Sequence, residues 1–269
     1  MLALILAGGA SRRFGEPKAL ARVGGRTFLE RVYTAISSVA GEVIVAVTDY
    51  TPRRAVDLAR SLGAEVMSDD PSLPCLGPPR AVVTVYQELR PEELLVAGVD
   101  YPFLDGSAVE SIVELARKSS LDALTPMLHP GYPLVTLGYL ASPALEALEE
   151  ACVAKRGLVR LTDAYRGAPR SAVSGWSIHA EDARILQNVN RREDLEEAPS
   201  PPVLRVVVRV PSTAYREAIE ALELGDYRSA AGLFGLESLL HEERGLRLYS
   251  IHASKDERWA RSDPRLEAF

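Results

Sequence analysis

The chain of 269 residues contains little cysteine, no long apolar run and no excess of positive charge. Its two cysteines, Cys75 and Cys152, are far apart in the sequence and match no metal-binding spacing, so we expect two free thiols in a reducing cytosol. No segment approaches the roughly 18–20 apolar residues that cross a bilayer. No basic region precedes the apolar residues 2–7, as it would in a signal peptide. The sequence therefore predicts a soluble, cytoplasmic protein.

The charge balance is acidic, with 31 Lys and Arg against 37 Asp and Glu, a net charge of −6. This balance argues against a protein held on nucleic acid by a general basic surface, because phosphate binding needs a local excess of cations. Lysine and asparagine are scarce: only four Lys and two Asn, Asn188 and Asn190, occur in the chain. Scarce residues at chemically special positions carry more information than common ones.

Apolar runs alternate with helical patterns over most of the chain. Strands are predicted at residues 2–7, 43–47, 64–67, 94–99, 123–127 and 134–139. Helices are predicted at residues 27–39, 52–62, 81–89, 108–118, 143–154 and 158–165. Short connections between them predict an α/β fold with a doubly wound, mostly parallel, Rossmann-like sheet in three layers.

The acidic, proline-rich residues 191–202 separate this part from the rest and indicate a linker or domain edge. We therefore divide the chain into a main domain, residues 1–200, and a small C-terminal α/β extension, residues 201–269. In the extension the pattern predicts a strand at 204–210, helices at 212–224 and 227–240, and a strand at 246–251. The residues from Lys255 onward are predicted to be a solvated end of the chain.

A glycine-rich stretch follows the first strand: Leu6-Ala7-Gly8-Gly9-Ala10-Ser11-Arg12-Arg13-Phe14-Gly15-Glu16-Pro17-Lys18. The two adjacent glycines let the backbone approach a ligand, and Arg13 and Lys18 can neutralise phosphate oxygens. The stretch is neither the dinucleotide-binding fingerprint nor a P-loop. Four segments directly after apolar runs should meet at one crevice beyond the strands' carboxyl ends: Gly8-Gly9, Thr48-Asp49, Asp69-Asp70 and Asp100.

This stretch resembles the signature L-A-(G/A)-G-x-S-x-R-M-G-x-x-K of the molybdenum cofactor guanylyltransferase-like family of nucleotidyltransferases. The matching residues are Leu6, Ala7, Gly8, Gly9, Ser11, Arg13, Gly15 and Lys18. Phe14 departs from the pattern, because Met is usual there. The resemblance covers about residues 1–197 and implies that the loop binds a nucleoside triphosphate.

Further segments carry the same resemblance. Asp100-Tyr101-Pro102-Phe103-Leu104 resembles the family's Asp-x-Pro-(Phe/Leu)-(Leu/Ile), and residues 188–195 resemble N-x-N-T-P-E-D-L, with both Asn of the chain in its Asn positions. Asp69 or its neighbour Asp70, together with Gly77-Pro78, resembles V-x-x-D…G-P-L, and Tyr132-Pro133-Leu134 resembles (H/Y)-P-L. Thr48 stands where the molybdenum enzymes often have Asn.

The resemblance implies roles for individual residues. It implies a nucleotide-binding set of Leu6, Ala7, Gly8, Gly9, Ser11, Lys18, Asp69, Gly77 and Asp100. It implies that Arg13, Lys18 and Asp100 act in catalysis, with Mg²⁺ on Asp100. It also implies that Pro133, Asn188 and Asn190 bind the acceptor.

The implied reaction is transfer of GMP from GTP to molybdopterin. Cytidylyl transfer to the same pterin stays open. So does guanylyl transfer to adenosylcobinamide phosphate, since Thr51-Pro52 resembles a pair in that family. The alternative to an enzyme is a module that binds an NTP without catalysing a reaction. The expected partners are GTP or another NTP and a phosphorylated small-molecule acceptor, with no nucleic acid and no membrane. The extension could form the contact of a homo-oligomer or bind a protein partner.

Overall fold

The structure, a computed structural model, describes residues 1–9 and 11–262. Its strands are β1 (Leu2–Leu6), β2 (Arg22–Val23), β3 (Arg26–Thr27), β4 (Glu42–Val47), β5 (Glu65–Ser68), β6 (Glu93–Gly98), β7 (Ala123–His129), β8 (Tyr132–Pro133), β9 (Leu137–Ala141), β10 (Ser171–Gly175) and β11 (Val207–Arg209). Its α-helices are α1 (Phe28–Ser37), α2 (Arg53–Ser61), α3 (Pro78–Leu89), α4 (Gly106–Lys118), α5 (Ser142–Lys155), α6 (Thr162–Gly167), α7 (Thr213–Glu223), α8 (Tyr227–Glu243) and α9 (Arg247–Arg261). Short 3-10 helices occur at Lys18–Leu20, Arg156–Leu158, Trp176–Ile178, Ala183–Leu186 and Glu193–Leu195.

The main sheet has the strand order β11-β10-β7-β9-β6-β1-β4-β5, with β8 added beside β7. β1 pairs in parallel with β4 and β6, β4 with β5, and β7 with β10. β9 is antiparallel to both β6 and β7, so those two strands run in the same direction. The predicted mostly parallel sheet is confirmed. The carboxyl ends of β5, β4, β1, β6 and β7 all lie at one edge of it.

Helices cover both faces of the sheet. Cores on its two faces contain apolar side chains of α1, α2 and α4 on one side and of α3, α5 and α6 on the other. Strand β1 reads as an unbroken apolar run because both of its faces are buried in this way. The predicted three-layer arrangement is confirmed. Among the helices of the described residues, none has the length and apolar character that crossing a membrane requires.

The extension differs from its predicted strand–helix–helix–strand order. The predicted strand at 246–251 is wrong, because α9 begins at Arg247 and buries Tyr249, Ala253 and Ala260 at helical spacing. The expected solvated end is wrong up to Arg261, since α9 continues to that residue and Asp256 is fully buried. Residues 263–269 lie outside the described part of the chain. The other strand, β11, is the added antiparallel edge of the main sheet.

The two cysteines form a disulfide, so the prediction of free thiols is wrong. Cys75 and Cys152 are 77 positions apart in the sequence, but their Cα atoms are 5.0 Å apart. Cys75 precedes α3 and Cys152 lies in α5, and these two helices pack against each other on one face of the sheet. Sequence spacing says nothing of such a contact, because the crossover topology decides which helices become neighbours.

Candidate active site

A cavity of about 330 Å³ opens at the carboxyl edge of the sheet. The predicted site residues that line it are Leu6, Ala7, Gly8, Gly9, Ser11, Arg13, Lys18, Asp69, Gly77, Asp100 and Asn190. Residues from the ends of four parallel strands thus meet at one place, as the topology of a doubly wound sheet requires. Two predicted residues, Asn188 and Pro133, are not in the lining.

The glycine-rich loop is folded by its own side chains. Ser11 has a left-handed backbone conformation, with φ 48°, and its hydroxyl accepts a hydrogen bond from the Lys18 amide at 3.1 Å. Phe14 is buried and packs against Phe28 of α1, with ring centroids 5.6 Å apart. The loop therefore turns back on itself, is anchored by one aromatic side chain, and delivers Lys18 to the cavity. Phe14, the departure from the family signature, serves as this anchor.

Lys18, Asp100 and Asn190 form a small cluster, here called the site cluster. The Lys18 Nζ donates to the Asn190 Oδ1 at 2.9 Å and lies 3.5 Å from the Asp100 Oδ2. The side chains of Lys18 and Asp100 are 13% and 21% exposed. The residues come from the loop after β1, the end of β6 and the segment before the linker. The sequence predicted each of them, and the fold brings them into contact.

The position of Asp100 depends on Gly98 at the end of β6. A Cβ on Gly98 would stand 2.3 Å from an Asp100 carboxylate oxygen, so any larger residue there would displace the carboxylate. The backbone carbonyl of Asp100 accepts from the Val189 amide at 2.8 Å, which joins β6 to the segment that carries the two asparagines. The glycine is the signal in the sequence that an aspartate must be accommodated closely here.

The segment of the two asparagines is a loop closed by Asp194. The Asp194 carboxylate accepts from the amides of Asn190 and Arg191 at 2.6 and 2.8 Å. Asn190 in turn donates its side-chain amide to the Asn188 side-chain oxygen. Asn188 therefore lies behind Asn190 and supports it instead of facing the cavity. Arg192 pairs with Glu16 of the glycine-rich loop at 2.8 Å, a contact between the two loops.

The opposite end of the cavity is formed by Asp69 after β5 and by Gly77, Pro78 and Ala81 at the start of α3. Burial raises the pKa of the Asp69 carboxyl above its usual value, against the opposing effect of the Arg80 charge. The neighbouring Asp70 does not line the cavity; it accepts hydrogen bonds from the Ser72 amide and hydroxyl. Of these two acids, Asp69 is the one that a ligand in the cavity would meet.

Other residues separate into those the cavity includes and those it does not. Thr48 lines the cavity, and its hydroxyl donates to the Gly8 carbonyl at 2.6 Å, whereas the adjacent Asp49 is exposed outside it. Pro133 is paired with Met127 in the β7–β8 hairpin and is not among the lining residues. Thr136, between β8 and β9, lines the cavity without having been predicted, because no local pattern marks a threonine in that loop.

At this site, Asp100 is the residue that would bind a metal ion. Within the described residues there is no group of three or more Asp, Glu, His or Cys that could hold a metal by itself. A single partly exposed carboxylate beside a cavity fits Mg²⁺, which proteins usually bind with one or two carboxylates together with substrate phosphates.

Comparison with known proteins gives a consistent result. The profile of the MobA-like NTP transferase domain matches residues 3–168. A protein of Pyrococcus horikoshii named probable molybdenum cofactor guanylyltransferase is 28% identical over 198 residues, covering 72% of this chain and 97% of that protein. A protein of the same name from Bacillus velezensis is 31% identical over 124 residues, covering 46% of this chain and 59% of that protein.

Solved structures resemble the same part of the chain. Molybdopterin-guanine dinucleotide biosynthesis protein A of Archaeoglobus fulgidus superimposes with a TM-score of 0.59 at 22% identity, covering 73% of this chain and 95% of that one. The 2-C-methyl-D-erythritol 4-phosphate cytidylyltransferase of Thermus thermophilus gives a TM-score of 0.52 at 22% identity, covering 72% and 94%. At these identities the likeness supports the fold alone.

The matching profile, the fold and the relatives together define an enzyme of the nucleotidyltransferase class. The chain belongs to the family of the MobA-like NTP transferase domain, whose profile spans more than half of its length.

Proposed function

We propose that this enzyme transfers GMP from GTP to molybdopterin with Mg²⁺, forming the guanine dinucleotide cofactor. The observation that carries the proposal is the site cluster, in which Lys18, Asp100 and Asn190 meet beside Gly8 and Gly9 in a nucleotide-sized cavity. The names of the two relatives supply the choice of guanine and pterin. These substrates also lead us to propose a cytoplasmic location.

The proposed step is an in-line displacement at phosphorus. An oxygen of the acceptor phosphate forms a bond to the α-phosphorus of GTP, and the bond from that phosphorus to the bridging oxygen breaks, releasing pyrophosphate. The acceptor oxygen is already ionised, so no side chain has to remove a proton from it. Catalysis then depends on positioning and on neutralising charge.

The chain's own residues provide both effects. The backbone at Gly8 and Gly9 has space for phosphate oxygens, and Arg12 and Arg13 line the same cavity with exposed side chains. Lys18 lies deeper, as a compact ammonium between Asp100 and Asn190. We assign Lys18 and Arg13 to neutralising the charge that develops as pyrophosphate leaves.

Asp100 would hold the Mg²⁺, and the ion would supply charge neutralisation to the triphosphate when bound. Asn190, bonded to Lys18, fixes the ammonium relative to that carboxylate, and Asn188 fixes Asn190. Asp69 and the start of α3 form the end of the cavity away from this cluster, which we assign to the ribose and base.

The first experiment decides among the acceptors and bases. Binding of the four NTPs with Mg²⁺ is measured by titration calorimetry, and pyrophosphate release is then measured with molybdopterin and with adenosylcobinamide phosphate. We expect GTP to bind most tightly and molybdopterin to be turned over. Preference for CTP with the same pterin would replace guanylyl by cytidylyl transfer. Tight NTP binding without turnover on either acceptor would favour a silent module.

A variant tests the metal assignment. Asp100→Ala should abolish turnover and hardly change the unfolding temperature, because the carboxylate is partly exposed, its contact with Lys18 is long at 3.5 Å, and Lys18 keeps its hydrogen bond to Asn190. Asp57→Ala, which removes an exposed carboxylate from α2, is the matched control and should keep full activity. Full Mg²⁺-dependent activity in Asp100→Ala would refute the assignment.

A further inference from the structure

The extension lies outside the family profile, which ends at residue 168, yet it is joined firmly to the main domain. Strand β11 continues the main sheet, and Leu246 and Tyr249 belong to the same apolar core as α3 and α5. Arg166 of α6 forms a buried two-pronged ion pair with Glu237 of α8. The position of the extension relative to the main domain is therefore fixed. Any surface that the extension presents near the site has a defined position as well.

The turn between α8 and α9 of the extension is in close contact with the β7–β8 hairpin. The Leu248 amide at the start of α9 donates to the Gly131 carbonyl at 2.8 Å. Gly131 has φ 78°, and a Cβ there would stand 2.9 Å from both the Gly245 carbonyl oxygen and the Arg247 Cβ. Only glycine allows this approach, so the hairpin and the extension are fitted to each other.

This hairpin is at the same edge of the sheet as the cavity. β7 runs parallel to β6, with β9 between them, so the end of β7 and Asp100 lie on one edge. Tyr132 of the hairpin is four residues from Thr136, which lines the cavity. An extended chain spans about 3.3–3.6 Å per residue, so their Cα atoms are at most about 14 Å apart.

The contact brings an unpaired cation to that edge. The Arg247 guanidinium lies 6.0 Å from the centroid of the Tyr132 ring, and both side chains are exposed. Across the residues the structure describes, Arg247 has no carboxylate partner. An exposed guanidinium that lies over an aromatic ring at the outer limit of a cation–π contact, and that has no carboxylate partner, is suited to binding an anionic group.

The geometry of the proposed reaction decides which substrate that group belongs to. The glycine-rich loop after β1, with Arg13, is assigned to the leaving pyrophosphate, and the reacting phosphorus to the site cluster at β6. An acceptor that attacks in line approaches opposite the pyrophosphate, which is on the other side of β6, where β9, β7 and the extension lie.

We propose that the extension completes the acceptor side of the active site, with Arg247, supported by Tyr132, binding negative charge on the acceptor outside the nucleotide cavity. This inference rests on the proposed function for the identity of the two substrates. It makes Arg247 a specificity-determining residue supplied by a part of the chain that the family profile does not include.

The test separates acceptor binding from nucleotide binding and from turnover. Wild-type enzyme and the variants Arg247→Ala, Arg247→Lys and Arg258→Ala are saturated with a non-hydrolysable GTP analogue and Mg²⁺. Molybdopterin and adenosylcobinamide phosphate are then titrated in. Arg258, an exposed arginine farther along α9, is the matched control. We expect Arg247→Ala to weaken acceptor binding about tenfold, Arg247→Lys to weaken it less, and Arg258→Ala to change it less than about twofold.

The Kd of the GTP analogue is measured for each protein and should not change. Equal acceptor affinity in wild type and Arg247→Ala overturns the inference, and so does an equal loss in Arg258→Ala, which would show a general charge effect. Failure of the wild type to bind either acceptor also overturns it. Pyrophosphate release is then measured with GTP in place of the analogue. Acceptor binding that depends on Arg247, without release from GTP in the wild type, would overturn the proposed function and still support the acceptor site.

Discussion

Two clusters of charged side chains differ in how completely they are closed. The site cluster of Lys18, Asp100 and Asn190 is partly exposed, and its two charged groups are 3.5 Å apart. The second, here called the buried cluster, consists of Lys155, Arg160, Asp163, Arg166, Glu237 and Asp256, and all of these except Arg160 are fully buried.

The charged groups of the buried cluster form hydrogen bonds and ion pairs with one another. Arg166 donates to Glu237, Asp163 and Asp256 at distances between 2.6 and 2.8 Å, and Lys155 donates to both aspartates at 2.8 Å. Three cations face three carboxylates. Burial alone would raise the pKa of Glu237, but the Arg166 charge and its hydrogen bonds outweigh burial and hold the pKa below the usual value.

The difference separates structural charge from functional charge. The charges of the buried cluster are paired with one another, His241 also contacts Glu237 at 3.0 Å, and the cluster joins α5 and α6 to the extension. The site cluster has one long contact, and the neighbouring Arg12 and Arg13 have no carboxylate partner in the described ranges 1–9 and 11–262. A ligand that brings negative charge would complete it, as the triphosphate does in our proposal.

Removing one charge from the closed network should have the largest effect. Glu237→Gln keeps the shape of the side chain but leaves excess positive charge inside the protein, so we expect a loss of about 3–5 kcal/mol in the free energy of unfolding. The measurement is urea denaturation at pH 7. The pKa of Glu237 is lowered in the folded state, so its stabilisation is present above the usual carboxyl pKa of 4.5 and is lost as the pH falls through the lowered value.

Glu243→Gln is the matched control, since Glu243 is exposed at the end of the same helix. It should change the free energy of unfolding by less than about 0.5 kcal/mol. Nucleotide binding by folded Glu237→Gln should equal that of the wild type. A stability loss below about 1 kcal/mol would show that the buried cluster tolerates an unpaired charge and that the comparison is wrong.

Removing the cation from the open cluster should affect the rate instead. Lys18→Ala should lower turnover by about 10²–10³, comparable to the loss of one group that stabilises transition-state charge. The unfolding temperature should hardly change, because Lys18 joins no two helices of the core. Both are measured on one preparation, by pyrophosphate release and by thermal unfolding.

Lys118→Ala controls for the loss of a lysine, because Lys118 is 74% exposed and its one ion pair within the described part of the chain is with Glu114 on its own helix. Its turnover should match that of the wild type. A decrease smaller than about threefold in Lys18→Ala would make Lys18 a surface cation without a catalytic role.

These clusters also mark how far the sequence could be interpreted. The strands of the main sheet were predicted where apolar runs are continuous, as in Leu2–Leu6, because burial on both faces leaves that signature. Strand β10, with Ser171, Ser174 and Gly175, was missed because its side chains are too small and polar to stand out. Residues 246–251 were assigned to a strand because a short apolar segment does not distinguish strand from helix.

The site was predictable where one loop carries its chemistry. Lys18 and Asp100 each lie in a recognisable motif, and the parallel topology explains why they meet. The disulfide, the Arg166–Glu237 pair and the contact of Gly131 with the extension were not predictable. Each joins segments far apart in the chain and depends on which elements pack together, which no local pattern encodes.

The smallest expected effect is on the stability of variants at Asp69 and Asp70. The pKa values of these two adjacent carboxyls are shifted in opposite directions. Burial raises the pKa of Asp69, whereas hydrogen bonds from Ser72 lower the pKa of Asp70. A carboxyl with a raised pKa destabilises the folded protein at neutral pH, so Asp69→Asn should increase the Tm by about 1–2 °C at pH 7. Asp70→Asn should decrease it, because a carboxyl with a lowered pKa stabilises the folded state above its usual value.

The Asp69 difference should shrink as the pH falls through the raised pKa of the folded state towards 3.8, the usual value. The Asp70 difference should shrink only below 3.8, as the pH falls through the lowered pKa of the folded state. The measurement is thermal unfolding of the wild type and the two variants from pH 7 to pH 3. An Asp69→Asn protein that is more stable but binds GTP less tightly would extend the comparison to a third location, where a half-buried charge is retained for a ligand at the expense of stability. Equal Tm values for all three proteins at pH 7 would place Asp69 with the solvated surface acids and remove it from the nucleotide site.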